Sequence, residues 1–322
     1  MVLQEFLDEW NNASDSVLVH TSGSTGEPKP MWAEKRRMLA SARITCDFLG
    51  LKPGERALLC MSLDYIAGKM MVVRALERGL QLVAVEPDGH PLAGVEGPID
   101  FAAMVPMQVY NSLQVPEERR RLMQIGNLII GGGAIDDRME RQLRSFPHAV
   151  WSTYGMTETL SHIALRRLSG PAASPWYMSF DTVKVSLDDE GCLVIDAPAV
   201  HEGRLVTHDR AELSSRGFRI IGRKDNVICS GGIKIQAEEV ERALKPFMRG
   251  GFMITKRKDE KFGEIVVMLT EQTDMAEVEE LCVAALPKYW CPRRYIHVAQ
   301  IPLTETGKPA RAVAERMARE AG

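Results

Sequence analysis

The chain has 322 residues, 45% of them apolar and 26% charged, an ordinary globular composition long enough for one large or two moderate domains. A formal net charge of -3 removes the electrostatic reason to expect nucleic-acid or membrane-surface binding, so the expected partner is a small molecule. The N-terminus lacks a basic segment followed by an apolar core, and no apolar run reaches the length of a membrane span, which predicts a cytoplasmic protein with no membrane insertion.

The short apolar run Val17-Leu18-Val19 leads into His20-Thr21-Ser22-Gly23-Ser24-Thr25-Gly26-Glu27-Pro28-Lys29. Glycines let backbone amides turn toward an anion, and the hydroxyls and Lys29 add donors for phosphate oxygens. A Walker A loop needs Gly before its Lys and Ser or Thr after it, whereas Pro28 and Pro30 flank Lys29, so the P-loop NTPase reading fails. An ordinary flexible turn has the same composition, and later motifs must decide between the two.

Residues from about 30 to 155 alternate helix-like segments, such as 67–78 and 136–145, with the apolar runs 57–61, 82–85, 101–105 and 128–130. That alternation predicts an α/β domain with a parallel sheet covered on both faces. Ligands of such sheets bind outside the carboxyl ends of the strands. The loop at Thr21, a second at Gly131-Gly132-Gly133-Ala134 and a third at Tyr154-Gly155-Met156-Thr157-Glu158-Thr159 each follow an apolar run and are expected to converge on one edge. From about 180 to 222, short alternating stretches separated by turns such as Asp188-Asp189-Glu190-Gly191 predict a small antiparallel sheet or barrel. A helix over 237–247, strands at 252–254 and 265–269, and a helix over 275–285 then predict a C-terminal α+β domain, giving domains 1–224 and 225–322. Six cysteines, Cys46, Cys60, Cys192, Cys229, Cys282 and Cys291, form no CxxC pair and adjoin no His cluster, as reduced thiols would.

Taken together, the motifs resemble those of the adenylate-forming superfamily of acyl-CoA synthetases, luciferases and peptide-synthetase adenylation domains. The resemblance runs from Thr21 to Lys308 in the family's order: the loop at 21–29, Tyr154-Gly155-Met156-Thr157-Glu158, Asp209, Gly222-Arg223-Lys224-Asp225-Asn226 leading into Ser230-Gly231-Gly232, and Pro302-Leu303-Thr304-Glu305-Thr306-Gly307-Lys308. It implies that Thr21, Ser22, Gly23, Ser24, Thr25, Gly26 and Lys29 grip the β- and γ-phosphates of ATP, and that Tyr154 and Gly155 hold the adenine with Gly131, Gly132, Gly133 and Ala134 beneath it. Thr157 would contact the α-phosphate, and Glu158 would help hold Mg2+, a hard cation that prefers carboxylate and phosphate oxygens. Asp209 and Arg223 would meet the ribose, although His208 stands where relatives usually carry Gly. Asp225 would be the hinge of a mobile lid, Gly231 and Gly232 would border the channel for coenzyme A, and Lys308 would bridge the substrate carboxylate and the α-phosphate. A cation there stabilises charge that develops as two anions meet.

Within the superfamily, Met104-Val105-Pro106-Met107-Gln108, Leu63 to Lys69 and Leu160 to Ala164 most resemble the o-succinylbenzoate-CoA ligases of menaquinone biosynthesis. The implied acid-pocket residues are Tyr65, Lys69, Arg74, Thr159, Ser161 and His162. A diacid leaves one carboxylate as a spectator, and Lys69, Arg74 and His162 are the candidates to anchor it. The phosphate loop begins near residue 20, earlier than in ordinary members, and a homodimer is the expected cover for the face this would expose. Loading of a carrier protein, and nucleotide binding without turnover, are the competing functions.

Overall fold

The four apolar runs at 57–61, 82–85, 101–105 and 128–130, with the strand that ends at Gly155, become the parallel part of a seven-stranded sheet in the computed structural model, which describes residues 1–20, 30–133, 135–304 and 309–321. Its strands lie in the order Gln81–Ala84, Arg56–Leu59, Phe101–Met104, Asn127–Ile130, Ala149–Gly155, His162–Arg167 and Met178–Ser179. The first five pair in parallel and the last two are antiparallel additions. Leu58, Ala102, Met104, Leu128, Ile130 and Val150 bury one face of this sheet against Leu113, Leu122, Met139 and Leu143 of the crossover helices. The fold is α/β, as the alternation of runs and helices dictates.

Two helices shape the site. Lys35–Leu49 buries Met38, Ser41, Ala42, Thr45 and Cys46, a spacing of three and four that forms one helical stripe. Ile66–Arg78 packs against it, and both helices end on a left-handed glycine, Gly50 at φ 66° and Gly79 at φ 66°, conformations that cost a side chain with a Cβ.

Two expectations change. Val17 to Val19 does not join the parallel sheet. Ser16–His20 pairs antiparallel with Pro30–Glu34 in a separate two-stranded sheet, with His20 opposite Pro30, so the phosphate-loop motif at 21–29 connects two hairpin strands. Pro30 donates no backbone hydrogen and sits at the first position of its strand, where that is tolerated. Tyr154 and Gly155 are likewise not in a loop. They end the Ala149–Gly155 strand, with a register shift at Tyr154/Gly155, and the turn proper is Thr157–Thr159.

The chain divides into two compact units, Met1–Ser186 with Val194–Leu205 and Leu213–Arg219, and Leu187–Leu193 with Val206–Glu212 and Ile220–Gly322. A four-stranded sheet of Lys184–Leu187, Cys192–Asp196, Arg204–Ser214 and Gly217–Arg223 runs in chain order, and the Asp188 carboxylate closes its first turn by accepting from the amides of Glu190 and Cys192. The second unit holds a five-stranded sheet whose core, including Ile228, Ile235, Val266 and Met268, is covered by the helices Ala237–Leu244 and Met275–Ala285. The first of these stops short of Phe247 because Pro246 has no amide to continue the ladder. Cys46, Cys60, Cys192 and Cys282 are buried, and all six cysteines are free thiols. No helix among the described residues is long and apolar enough to cross a membrane.

Candidate functional site

Residues 21–29, Ala134 and Lys308 lie outside the described residues, so the phosphate grip and the lysine stay as the sequence states them. The rest of the nucleotide residues fall into two groups, one in each unit.

In the first unit, Tyr154 meets Phe218 edge-on, with ring centres 5.1 Å apart and planes at 78°, and Tyr177 at 5.8 Å. Tyr177 stacks on Phe218 at 5.5 Å, bonds Ser152 through its hydroxyl at 2.9 Å and lies under the Arg166 guanidinium. Two aromatic neighbours therefore fix the plane of the Tyr154 ring. Gly131 passes so close to Thr153 on the neighbouring strand that a Cβ would collide with its hydroxyl, and Gly132 takes φ 82°. Thr157 is buried at the start of the short turn, while the Glu158 side chain is exposed. No group of three or more His, Cys, Asp or Glu side chains among the described residues forms a metal cage. A solvent-facing carboxylate fits a Mg2+ ion that is held mainly by phosphate oxygens.

The turn ends on Leu160, at φ 63° the non-glycine residue with positive φ among those described. A branched side chain pays strain there, and such strain collects at functional sites. It delivers Ser161 and His162 to Arg74 of the Ile66–Arg78 helix. Arg74 is 2% exposed, its Nη2 donates to Ser161 Oγ at 2.6 Å and its Nη1 to the Met71 sulfur at 3.8 Å. Among the described residues its Nε has no hydrogen-bond partner and no carboxylate pairs with it. Burial lowers the guanidinium to about 10, which keeps it charged at neutral pH. His162 is pushed well below 6.5, first by burial and then by the Arg74 charge, so it is neutral at pH 7. The Thr159 hydroxyl holds the turn, within hydrogen-bond reach of the Ser161 carbonyl at 2.8 Å and of the Met156 carbonyl at 3.1 Å.

Lys69, five residues earlier on the same helix, is placed differently. Its ammonium donates to the Leu18 carbonyl at 2.8 Å and pairs with Glu9 at 3.2 Å, over the ring of Phe6. Protein acceptors take up that charge and tie the N-terminal helix Leu3–Asn11 and the Ser16–His20 strand to the Ile66–Arg78 helix, so Lys69 is a strut rather than an open anion anchor. Tyr65 caps the helix start and is 43% exposed, with no substrate-like partner among the described residues.

In the second unit, Arg223 bridges Asp209 at 3.0 Å and Asp225 at 3.2 Å, and His208 Nδ1 meets both Asp225 oxygens at 2.9 and 3.0 Å. Burial pushes the Asp225 carboxyl up, but the bonds from His208 and Arg223 outweigh it and the net shift is downward. His208 thus keeps the local backbone in an extended strand and adds a contact that Gly lacks. Gly231 at φ 58° and Gly232 at φ 83° form the turn between Val227–Ser230 and Ile233–Gln236, which non-glycine residues enter only at a cost. Sequence reasoning did not single out Thr45, Tyr177 or Phe218, and it quoted Leu160 only within the stretch 160–164, without its backbone angle. Each acts through partners distant in the chain or through a backbone angle, and neither leaves a local pattern.

A family model described as AMP-binding enzyme matches residues 4–210, more than half of the chain. The 2-succinylbenzoate–CoA ligase of Salmonella typhimurium is 27% identical over 279 residues, which are 80% of this chain and 58% of that relative, so this chain spans less than two thirds of it. Among solved structures, an acyl-CoA synthetase (AMP-forming)/AMP-acid ligase II-like protein from Dyadobacter fermentans is 33% identical, with TM-score 0.67 over 96% of this chain and 91% of that one. The o-succinylbenzoate coenzyme A synthetase of Bacillus subtilis in complex with ATP and magnesium shares the fold at 20% identity and TM-score 0.73, covering 92% of this chain and 68% of that one. With the motifs in order, a family model over more than half of the chain and a solved structure at 33% identity, the chain belongs to the AMP-binding enzyme family, the adenylate-forming superfamily.

Proposed function

We propose that the chain is an AMP-forming acid-CoA ligase that takes o-succinylbenzoate, the diacid of menaquinone biosynthesis. The observation that carries the choice of acid is Arg74, a buried cation with an unpartnered Nε and no carboxylate partner among the described residues. Leaving a charge buried and unpaired costs several kcal/mol, and a bound anion removes that cost. A monocarboxylic acid spends its carboxylate on the reaction, whereas a diacid keeps one for the guanidinium. The names of the curated relatives point to the same acid.

In this reading a carboxylate oxygen attacks the α-phosphorus of ATP and pyrophosphate leaves. The sulfur of coenzyme A then attacks the acyl carbon, the new C–S bond replaces the acyl–phosphate C–O bond, and AMP departs. Lys308 neutralises the two anions that meet in the first step, Thr157 orients the α-phosphate, and Tyr154 with Asp209 and Arg223 holds the nucleoside. Glu158 would hold the Mg2+ that arrives with ATP, whose charge screens the phosphates. Gly231 and Gly232 border the path of the thiol in the second step.

The test is pyrophosphate release from MgATP with o-succinylbenzoate, 4-phenylbutyrate, benzoate and octanoate. Selective release with the diacid, lost in Lys308→Ala and weakened in Arg74→Lys, supports the reading. Release with octanoate or benzoate instead keeps the ligase and discards the acid. Nucleotide binding without release for every acid favours a regulatory role.

A further inference from the structure

Behind Arg74 a polar chain runs into the core of the first unit. Arg74 Nη2 donates to Ser161 Oγ at 2.6 Å, Ser161 Oγ lies 3.2 Å from His162 Nδ1, His162 Nε2 lies 3.1 Å from Thr45 Oγ1, and Thr45 Oγ1 donates to the Ser41 carbonyl at 3.1 Å. Thr45 is fully buried and His162 is 7% exposed. A hydroxyl has one proton to give. Thr45 gives its proton to Ser41, so it accepts from His162 Nε2–H. The ring is neutral, so Nδ1 is bare and takes the Ser161 proton. The Ser161 oxygen then turns its lone pairs to the guanidinium. Every bond in the chain points the same way, from a cation to a helix carbonyl.

We propose that Thr45 and His162 are positioning residues for Arg74, fixing through one histidine tautomer the orientation of the Ser161 hydroxyl that holds the guanidinium toward the anionic end of the acid. The inference rests on Arg74 as the acid anchor and adds what sets its geometry. A serine free to rotate would present its proton to the cation in part of its rotamers, and the repulsion would swing Arg74 off its line. The buried relay removes that freedom before the substrate arrives, so its entropy is not lost on binding.

The tautomer is read by nitrogen-15 NMR of histidine-labelled protein, with His162→Asn assigning the signal. The Nε2–H form is expected in the wild type, and an Nδ1–H form would overturn the relay. In Thr45→Val, which keeps the shape and loses the acceptor, the signal is expected to move to Nδ1–H. The KM for o-succinylbenzoate is expected to rise about tenfold with the KM for ATP unchanged, the effect of one hydrogen bond to a charged group. Thr45→Ser is expected to restore both. An acid KM unmoved in Thr45→Val, with Arg74→Lys raising it, overturns the positioning role and leaves the anchor standing. An acid KM unmoved in Arg74→Lys overturns the anchor and the purpose of the relay, and the tautomer signal distinguishes that result from a relay that never forms.

Discussion

His162 shows what one buried ring contributes. Its folded proton affinity lies well below 6.5 because burial and then the charge of Arg74 oppose protonation, and the groups facing it are Arg74, Ser161, Thr45 and the ring of Phe180. The unfolded chain therefore binds the proton first. The stability His162 contributes is fully present above about pH 6.5 and is lost as pH falls from there toward the folded value, by up to about 1.4 kcal/mol per pH unit. Melting temperatures between pH 7.5 and pH 5, conditions set by the ordinary histidine range, are expected to fall more steeply for the wild type than for His162→Asn. Parallel curves would remove His162 from the acid sensitivity. Lys69 gives the complementary case. Its pair with Glu9 is mostly shielded, at 3% and 22% side-chain exposure. Lys69→Met is expected to cost roughly 2 kcal/mol in denaturant unfolding, below the full range for a buried pair because Glu9 retains some water. The sequence made Lys69 and Arg74 look alike, two cations five residues apart on one helix. Which of them meets a carboxylate depends on Glu9 and Leu18, residues that a local pattern does not connect to them.

At the scale of elements, the hairpin from Ala149–Gly155 into His162–Arg167 holds Tyr154 to Glu158, expected at the nucleotide, and Ser161 and His162, proposed for the acid pocket. A Cβ on Gly155 would collide with the Ser161 carbonyl and the His162 Cα. Overpacking of this kind costs about 1–3 kcal/mol, and because the obstacle is backbone the upper end is expected for Gly155→Ala. The displaced residues are Ser161, which bonds Arg74, and His162, which bonds Ser161, so the same variant is expected to raise the KM for the acid. A stable, unaltered enzyme would show that the turn tolerates the shift. The motif Tyr154 to Glu158 is proposed as a nucleotide site from its resemblance to the family's motif. Its placement on a strand end was not legible in the sequence, because an antiparallel partner was needed to extend the strand through Gly155, and that partner is fixed by pairing rather than by composition.

For the molecule as a whole, the expected sequence of events is adenylation with Lys308 in the active site and thioester formation after it has left. Lys308→Ala is expected to lower pyrophosphate release by two orders of magnitude or more, the scale of losing a charge stabiliser at a reacting centre. Conversion of pre-formed acyl-adenylate and coenzyme A to thioester is expected to fall far less. Equal losses in both half-reactions would give the lysine a role in each. The sequence by itself determined the α/β class, the order of the nucleotide motifs and the family, because strand and helix periodicities and glycine-rich loops are local properties written in consecutive residues. It also offered Arg74, Ser161 and His162, together with Tyr65, Lys69 and Thr159, as expected acid-pocket residues. Only the tertiary structure decided that Arg74, Ser161 and His162 join one polar chain that passes through Thr45, 117 positions from His162, to the Ser41 carbonyl. It alone decided that Lys69 is paired, and that the strand before the phosphate loop belongs to a hairpin outside the main sheet. Burial and hydrogen-bond partnership are relations between distant segments, and no short stretch of chain carries them.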